Sequence, residues 1–205
     1  MSSERYSVIN LREYLSVASC KLSDAELEKL LIDFSCPLNI DTERFLHNSA
    51  IKFTRKNQSV TYLVFDTEHD SAFVGYFSLT VKPITVARAT LSKTQSRRIE
   101  RIASFDPCTQ TYTAAAYLIA QLAKNYAIPP EQRIAGSDLL SLAQQTILHI
   151  QHFLGGVLEF LECENNEKLL AFYENYGFTV FGSRTTVNTA SPEMGHVLQQ
   201  LFMFI

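Results

Sequence analysis

No part of the sequence constrains the fold as tightly as Gly156–Arg184, where two β-prone runs flank an amphipathic run and the joints carry residues suited to them. Val157–Glu162 has the length and apolar content of a strand buried on at least one face, bounded by Gly155-Gly156 before it and Glu164-Asn165-Asn166 after it. Asn165 or Asn166 can cap a helix by accepting from its free N–H groups, and Leu169, Leu170, Phe172 and Tyr173 then fall at helical spacing. Gly177 supplies the stop, because glycine readily takes the left-handed conformation that ends helices. A strand, a capped helix and a second strand reaching Arg184 are predicted.

Similar signals organise the remainder. Ser23-Asp24-Ala25-Glu26 opens a helix carrying Leu27, Leu30, Leu31 and Phe34, which should stop before Cys36-Pro37. Asp41-Thr42 is read as the cap of a second helix with Phe45, Leu46, Ala50 and Phe53 turned inward. Ser59–Asp66 and Ala72–Val81 are β-branched and aromatic runs joined by a polar turn, a hairpin pattern. Lys82-Pro83 should interrupt pairing, with Ile84–Ala89 resuming as a short strand. Ser92–Ile102 is polar and basic, an exposed helix or loop whose Arg97, Arg98 and Arg101 read as a solvated face, since no aromatics are interleaved.

By periodicity alone, Ala114–Ala123 suits a strand or a buried helix. Pro129-Pro130 forces a loop, and Gly136–Phe153 is a long amphipathic helix offering Leu139, Leu140, Leu142, Ala143, Ile147 and Ile150 to the core. His196–Ile205 is apolar enough for a final strand, after a loop Asn188–Gly195.

A chain of 205 residues, 46% hydrophobic, can bury one substantial core. Its net charge of −3 provides no global field for nucleic acid or anionic membrane. Apolar runs fall well short of the ~20 residues of a membrane span, and the first ten residues have no apolar leader core, so a cytoplasmic location and no membrane contact are expected. Cys20, Cys36, Cys108 and Cys163 are scattered, as are the five histidines, so reduced thiols and no metal are expected. Between Glu162 and Glu164, Cys163 should have a raised pKa through like-charge repulsion, a poor nucleophile.

From about Tyr112 to Arg184 the chain resembles the Gcn5-related N-acetyltransferases, most specifically in Phe172-Tyr173-Glu174-Asn175-Tyr176-Gly177-Phe178. The resemblance implies an α/β (α+β) acyl-CoA N-acyltransferase fold with a mixed, mostly antiparallel central sheet flanked by helices. It also selects the strand reading for Thr111–Leu122. A single domain over 1–205 is expected, with N-terminal helices at 11–56, an insertion at about 83–107, a coenzyme A core at about 111–184 and a C-terminal strand at 196–205.

By the same resemblance, the main chain of Ile119, Ala120, Gln121 and Leu122 would pair with the pantetheine amides. Arg133, Ile134, Ala135, Gly136 and Ser137 would face the pyrophosphate. Physics suits that role, since a helix N-terminus has free donors and the positive end of a dipole. Aligning Leu139-Leu140 with the family's Leu-Leu pair puts Gly136 on the last loop glycine but Ile134 on an earlier one, a departure that limits the loop's φ freedom. Asn165 and Asn166 would touch the pantetheine or phosphate region as well as cap a helix.

Tyr173 falls on the family's general acid, with Tyr176 as fallback. Glu162 and Glu164 are candidates to accept the amine's proton through water, with Tyr117 and Asp106 behind them. With no nucleophile elbow or P-loop, transfer from acetyl-CoA should be direct, in a ternary complex.

Acceptor choice is expected in the N-terminal helices and the insertion, with Tyr76, Phe77, Tyr112 and Tyr117 as candidate pocket walls. Three readings stand: an acetyltransferase for a small-molecule or peptide amine, a toxin-type acetyltransferase of aminoacyl-tRNA with an antitoxin partner, and a non-catalytic coenzyme A-binding regulator. Lys93, Arg97, Arg98 and Arg101 are the basic residues that keep a tRNA partner in view. A homodimer is compatible with the apolar final strand.

Overall fold

The computed structural model describes residues 5–15, 23–186 and 196–205; Cys20 and the loop Asn188–Gly195 lie outside them. In chain order the elements are β1 (Tyr6–Asn10), α1 (Leu11–Leu15), α2 (Asp24–Ile32), α3 (Ile40–Asn48), α4 (Ala50–Arg55), β2 (Val60–Asp66), β3 (Ala72–Ala87) and α5 (Lys93–Ile99). There follow β4 (Ser104–Asp106), β5 (Thr111–Lys124), α6 (Gly136–Leu154), β6 (Leu158–Glu164), α7 (Glu167–Asn175), β7 (Thr179–Thr186) and β8 (His196–Phe204). Short 3₁₀ turns occupy Arg88–Thr90 and Pro130–Gln132. The strands follow the order β1-β2-β3-β5-β6-β8-β7, with β4 paired to β5, in the mixed, mostly antiparallel arrangement expected.

The chain divides into two compact units, and β3, β5 and α6 each contribute to both. The first unit extends to Thr80 and takes in Ile119–Ile150. Its core gathers Leu27, Leu31 and Phe34 around Leu46, Leu63, Phe73 and Tyr76, all buried. The Tyr76 hydroxyl donates to the Thr42 carbonyl at 2.5 Å, which lets a phenol sit at zero exposure. Strands β1, β2 and β3 pair antiparallel, in register at Val8↔Val64 and Leu63↔Tyr76. Gly75 is required where β3 passes β5: a Cβ there would lie 2.9 Å from the Ala123 carbonyl oxygen.

The second unit comprises Val81–Leu118 and Gln151–Ile205. Here β8 lies between β6 and β7, antiparallel to both, and Phe181 and Phe202 pack edge to face. Helix α5 is anchored rather than merely solvated. Ile99 is fully buried, Gln95 Nε2 donates to Thr179 Oγ1 at 3.1 Å, and the Arg98 guanidinium lies 4.0 Å above the Phe204 ring.

Several boundaries differ from the sequence reading. Strand β1 went unread, and α1 opens the expected stretch of N-terminal helices at 11–56 without having been singled out. The second helix is capped by Asn39, whose Oδ1 accepts from the Asp41 and Thr42 N–H groups, and it breaks at Ser49 into α3 and α4. Strand β3 continues through Lys82 and Pro83 to Ala87; the exposed Pro83 does not end it. Tyr76, Phe77, Tyr112 and Tyr117 are all core residues, not pocket walls. Among the described residues no helix is long and apolar enough to cross a membrane.

Buried Asp66 fastens the start of the first unit. Its Oδ2 accepts from Arg5 Nη2 at 2.7 Å and lies 2.9 Å from His69 Nδ1. The Arg5 hydrogen bond chiefly holds its pKa down at about 2, against a usual 3.8. A depressed carboxyl contributes stability that is full above pH 4 and fades as pH falls towards 2. With the solvent-facing side of Arg5 screening the pair, the contribution is on the order of 1–2 kcal/mol. We expect Asp66→Asn to lower Tm by several degrees at pH 7 and to converge on the parent near pH 2, measured by thermal melts across that range.

Candidate active site

In the first unit, the main chain leaving β5 is held by one buried amide. The Asn125 N–H donates to the Val74 carbonyl at 2.8 Å, and its side-chain Nδ2 donates to the Phe73 carbonyl at 2.8 Å. Its Oδ1 accepts from the N–H groups of Ser35 (3.1 Å) and Ala127 (3.0 Å). Arg133 secures the far side of the loop: its Nε and Nη2 donate to the carbonyls of Ile128 (3.1 Å) and Tyr126 (3.0 Å), and its guanidinium lies 4.9 Å above the Tyr126 ring. Ile134 is buried at 1% exposure.

Arg133 and Ile134 therefore shape the loop, and much of the Arg133 donor capacity is spent on carbonyls. Beyond them α6 opens at Gly136, and the Leu139 N–H makes an early helical bond to the Ala135 carbonyl at 3.1 Å. The N–H groups of the first turn are the donors a helix leaves without a partner in its own ladder. Asp138 lies in that turn, so the dipole's positive end already faces one carboxylate. On β5, Ile119 is buried, while Ala120, Gln121 and Leu122 are half-buried.

In the second unit, Asn166 rather than Asn165 caps α7, its Oδ1 accepting from Lys168 and Leu169 at 3.0 and 3.3 Å; Asn165 is exposed. Tyr173 sits on α7 at 8% exposure, against Phe172 and Phe178. Burial first, and the Cys163 sulfur second, push its pKa well above the usual phenol range, so it stays protonated at neutral pH. Cys163 is itself pushed up to about 11. Burial is the larger cause; Glu164, the neighbour singled out in the sequence, comes second.

The two glutamates have different surroundings. Glu162 is pinned: Arg184 Nε donates to its Oε1 at 2.6 Å, Arg184 Nη2 to its Oε2, and Gln200 Nε2 to Oε1 at 2.8 Å. Burial raises its pKa, but these donors together bring it below the usual carboxylate value. Glu164 is exposed at the end of β6. Tyr117 donates to the Gly155 carbonyl, and Asp106 accepts from Thr109 and Cys108 within the β4–β5 turn. His149 and His152 are exposed, and no cluster of three or more potential metal ligands occurs among the described residues.

Sequence reasoning missed Asn125, Arg184 and Gln200. Arg184 and Gln200 reach Glu162 only through strand pairing, which has no local sequence signal. Asn125 does carry one: a lone amide after a long apolar strand.

No protein-family model and no curated protein matches the chain. Solved structures do. A Tyr→Phe mutant of KacT superposes with a TM-score of 0.61 at 18% identity, over 98% of this chain and 95% of that one. AtaT complexed with acetyl-methionyl-tRNAfMet gives 0.59 at 18% identity, over 95% and 93%. A mutant AtaT toxin bound to the C-terminus of the antitoxin AtaR and acetyl-CoA gives 0.55 at 14% identity, over 97% and 92%. The fold is that of the Gcn5-related N-acetyltransferases. Within this acetyltransferase fold, the near-complete coverage of both chains extends the likeness beyond the Tyr112–Arg184 segment that carried it in sequence.

The Arg133 brace generates a direct expectation. Arg133→Leu removes two donors to loop carbonyls and a cation–π contact, which should lower stability by about 1–2 kcal/mol. Amide exchange over Tyr126–Arg133 should rise at least tenfold, read by hydrogen–deuterium exchange, while the core of β2 exchanges as before.

Proposed function

We propose that this protein is an acetyl-CoA-dependent N-acetyltransferase. The observation that carries the proposal is the full-length likeness to structures that hold acetyl-CoA or an acetylated aminoacyl-tRNA. The braced loop and the opening turn of α6 are suited to the diphosphate, with the main chain of Ile119–Leu122 alongside the pantetheine. Arg133 and Ile134 serve this role by fixing the loop, and Ala135, Gly136 and Ser137 by their amides. Asn165 and Asn166 are assigned to the pantetheine region, Asn166 while capping α7.

In the reaction, the lone pair of a neutral amine attacks the thioester carbonyl. A C–N bond forms, the C–S bond breaks, and the sulfur leaves with the electron pair. Tyr173, protonated at neutral pH, donates its phenolic proton to that sulfur. The amine's surplus proton passes through water to a carboxylate. Glu164, exposed at the strand end, is assigned this step ahead of Glu162, whose oxygens are engaged by Arg184 and Gln200. The phenolate regains its proton from solvent.

For the acceptor we favour the α-amine of an aminoacyl-tRNA over a small molecule, with an antitoxin-like protein as partner and the cytoplasm as location. The AtaT complexes motivate this, and the exposed Lys93, Arg97, Arg98 and Arg101 provide cations for phosphates despite the chain's net charge of −3.

Thiol release from acetyl-CoA, followed with a panel of amines and with charged tRNAs, tests both levels. Turnover with charged tRNA, falling steeply with salt, is expected; turnover with small amines alone would remove the tRNA reading, and none with any acceptor would leave a coenzyme A-binding regulator. Tyr173→Phe should lower kcat roughly 100-fold and leave the Kd for acetyl-CoA within about twofold. Full activity in that variant would remove Tyr173 as the acid.

A further inference from the structure

Away from these residues, the helices at the start of the first unit enclose an open trench of about 450 Å³. One wall is α2, presenting Glu28 and Ile32; the other is the α3–α4 pair, with Ile51 and Arg55 in one row and Lys52 and Lys56 in the next. Each row has the i, i+4 spacing of a helix ridge. The rows stay aligned across the break at Ser49 because the Ser49 N–H still bonds the Phe45 carbonyl (2.9 Å) and the Phe53 N–H the Ser49 carbonyl (2.8 Å). From His47 to Arg55 the helical rise makes the trench roughly 12 Å long, about two turns of an opposing helix.

Its chemistry is two-sided. Ile32 is 63% exposed, unusual for an isoleucine, and Ile51 is half-buried beside it. Exposed Lys52 and Lys56 lie with Arg55 among the lining residues, where Glu28 is the single carboxylate. A nucleic acid strand is the poorer fit, since no Phe, Tyr or Trp lines the trench to stack a base, the His47 ring is held to the Phe34 carbonyl at 2.9 Å, and Glu28 would oppose its phosphates.

We propose that this trench docks an amphipathic helix from a partner protein, with apolar residues at i, i+3 or i+4 and i+7 set on Ile32 and Ile51, and acidic residues along the flank that meets Lys52, Arg55 and Lys56. The proposal is independent of the acetyl-transfer chemistry. A helix end of the partner with Lys or Arg could meet Glu28.

The test is a display selection from a helical peptide library with charge and apolarity randomised, using the full chain as bait, followed by fluorescence anisotropy on synthesised winners and on a U20 oligonucleotide. Expected winners carry the acidic, apolar pattern. Their affinity falls at least tenfold for the double variant Lys52→Glu, Lys56→Glu and for Ile32→Ser, with Tm unchanged since all three side chains are exposed. Glu→Lys peptides regain binding to the double variant. The proposal is overturned if the selection yields no such pattern, if affinity ignores these substitutions, or if U20 binds more tightly with the same dependence on Lys52 and Lys56.

Discussion

The side-chain amide of Asn125 is the constraint on which the first unit's site geometry depends. It is 3% exposed, and its oxygen and nitrogen are committed to Ser35, Ala127 and Phe73. A buried amide loses far more when one partner is missing than it gains per bond made, so the arrangement is close to all-or-none. It holds three things at once: the exit of β5, the adjacent main chain of β3, and the connection between α2 and α3. The loop that follows starts from a fixed point, and Arg133 fixes it again before α6 begins. Donors at a helix start bind an anion well only if they need not be assembled first, and two braces either side of the loop meet that condition.

In the second unit burial, more than charge, sets the chemistry. The apolar setting of α7 and β6 raises both Tyr173 and Cys163. A thiol is useful as thiolate, so raising its pKa silences it; a phenol is already protonated at neutral pH, so raising its pKa leaves that state unchanged and makes it a weaker proton donor. Glu162 shows the complementary case. Burial alone would raise it, but a two-pronged arginine and an amide reverse the sign and leave a stable carboxylate that links β6 to β7 across β8.

Local chemistry was legible in the sequence, and pairing across the sheet was not. Ser23 with Glu26 closes the reciprocal cap that the spacing promised, and Gly177 has the positive φ of a helix stop, because both depend on residues a few positions apart. Strand β1 has too little alternation to announce itself, and it exists because β2 offers it an edge. Pro83 was read as a break because proline lacks a donor, yet an exposed strand position tolerates that loss. Helix α5 looked like a solvated basic stretch because its anchors, Thr179 and Phe204, are remote in sequence. Within the candidate site, Tyr173 came from a local motif, whereas the pinning of Glu162 required three strands.

Ile134 brings these two kinds of information together. Against the family pattern it stands where glycine is usual, and from sequence alone that reads as a loss of the backbone freedom a phosphate loop uses. The side chain is buried at 1% exposure, so the position has become an anchor for the loop, flanked by the Arg133 brace and the start of α6. Glycine permits a loop to wrap an anion at an entropic cost to folding; a buried β-branched residue removes that freedom in advance. In the proposed coenzyme A site, a loop built this way would depend less on closing around its ligand and more on presenting the Ala135–Ser137 amides in one orientation, with the packing of Ile134, not flexibility, setting how well the helix start receives a phosphate.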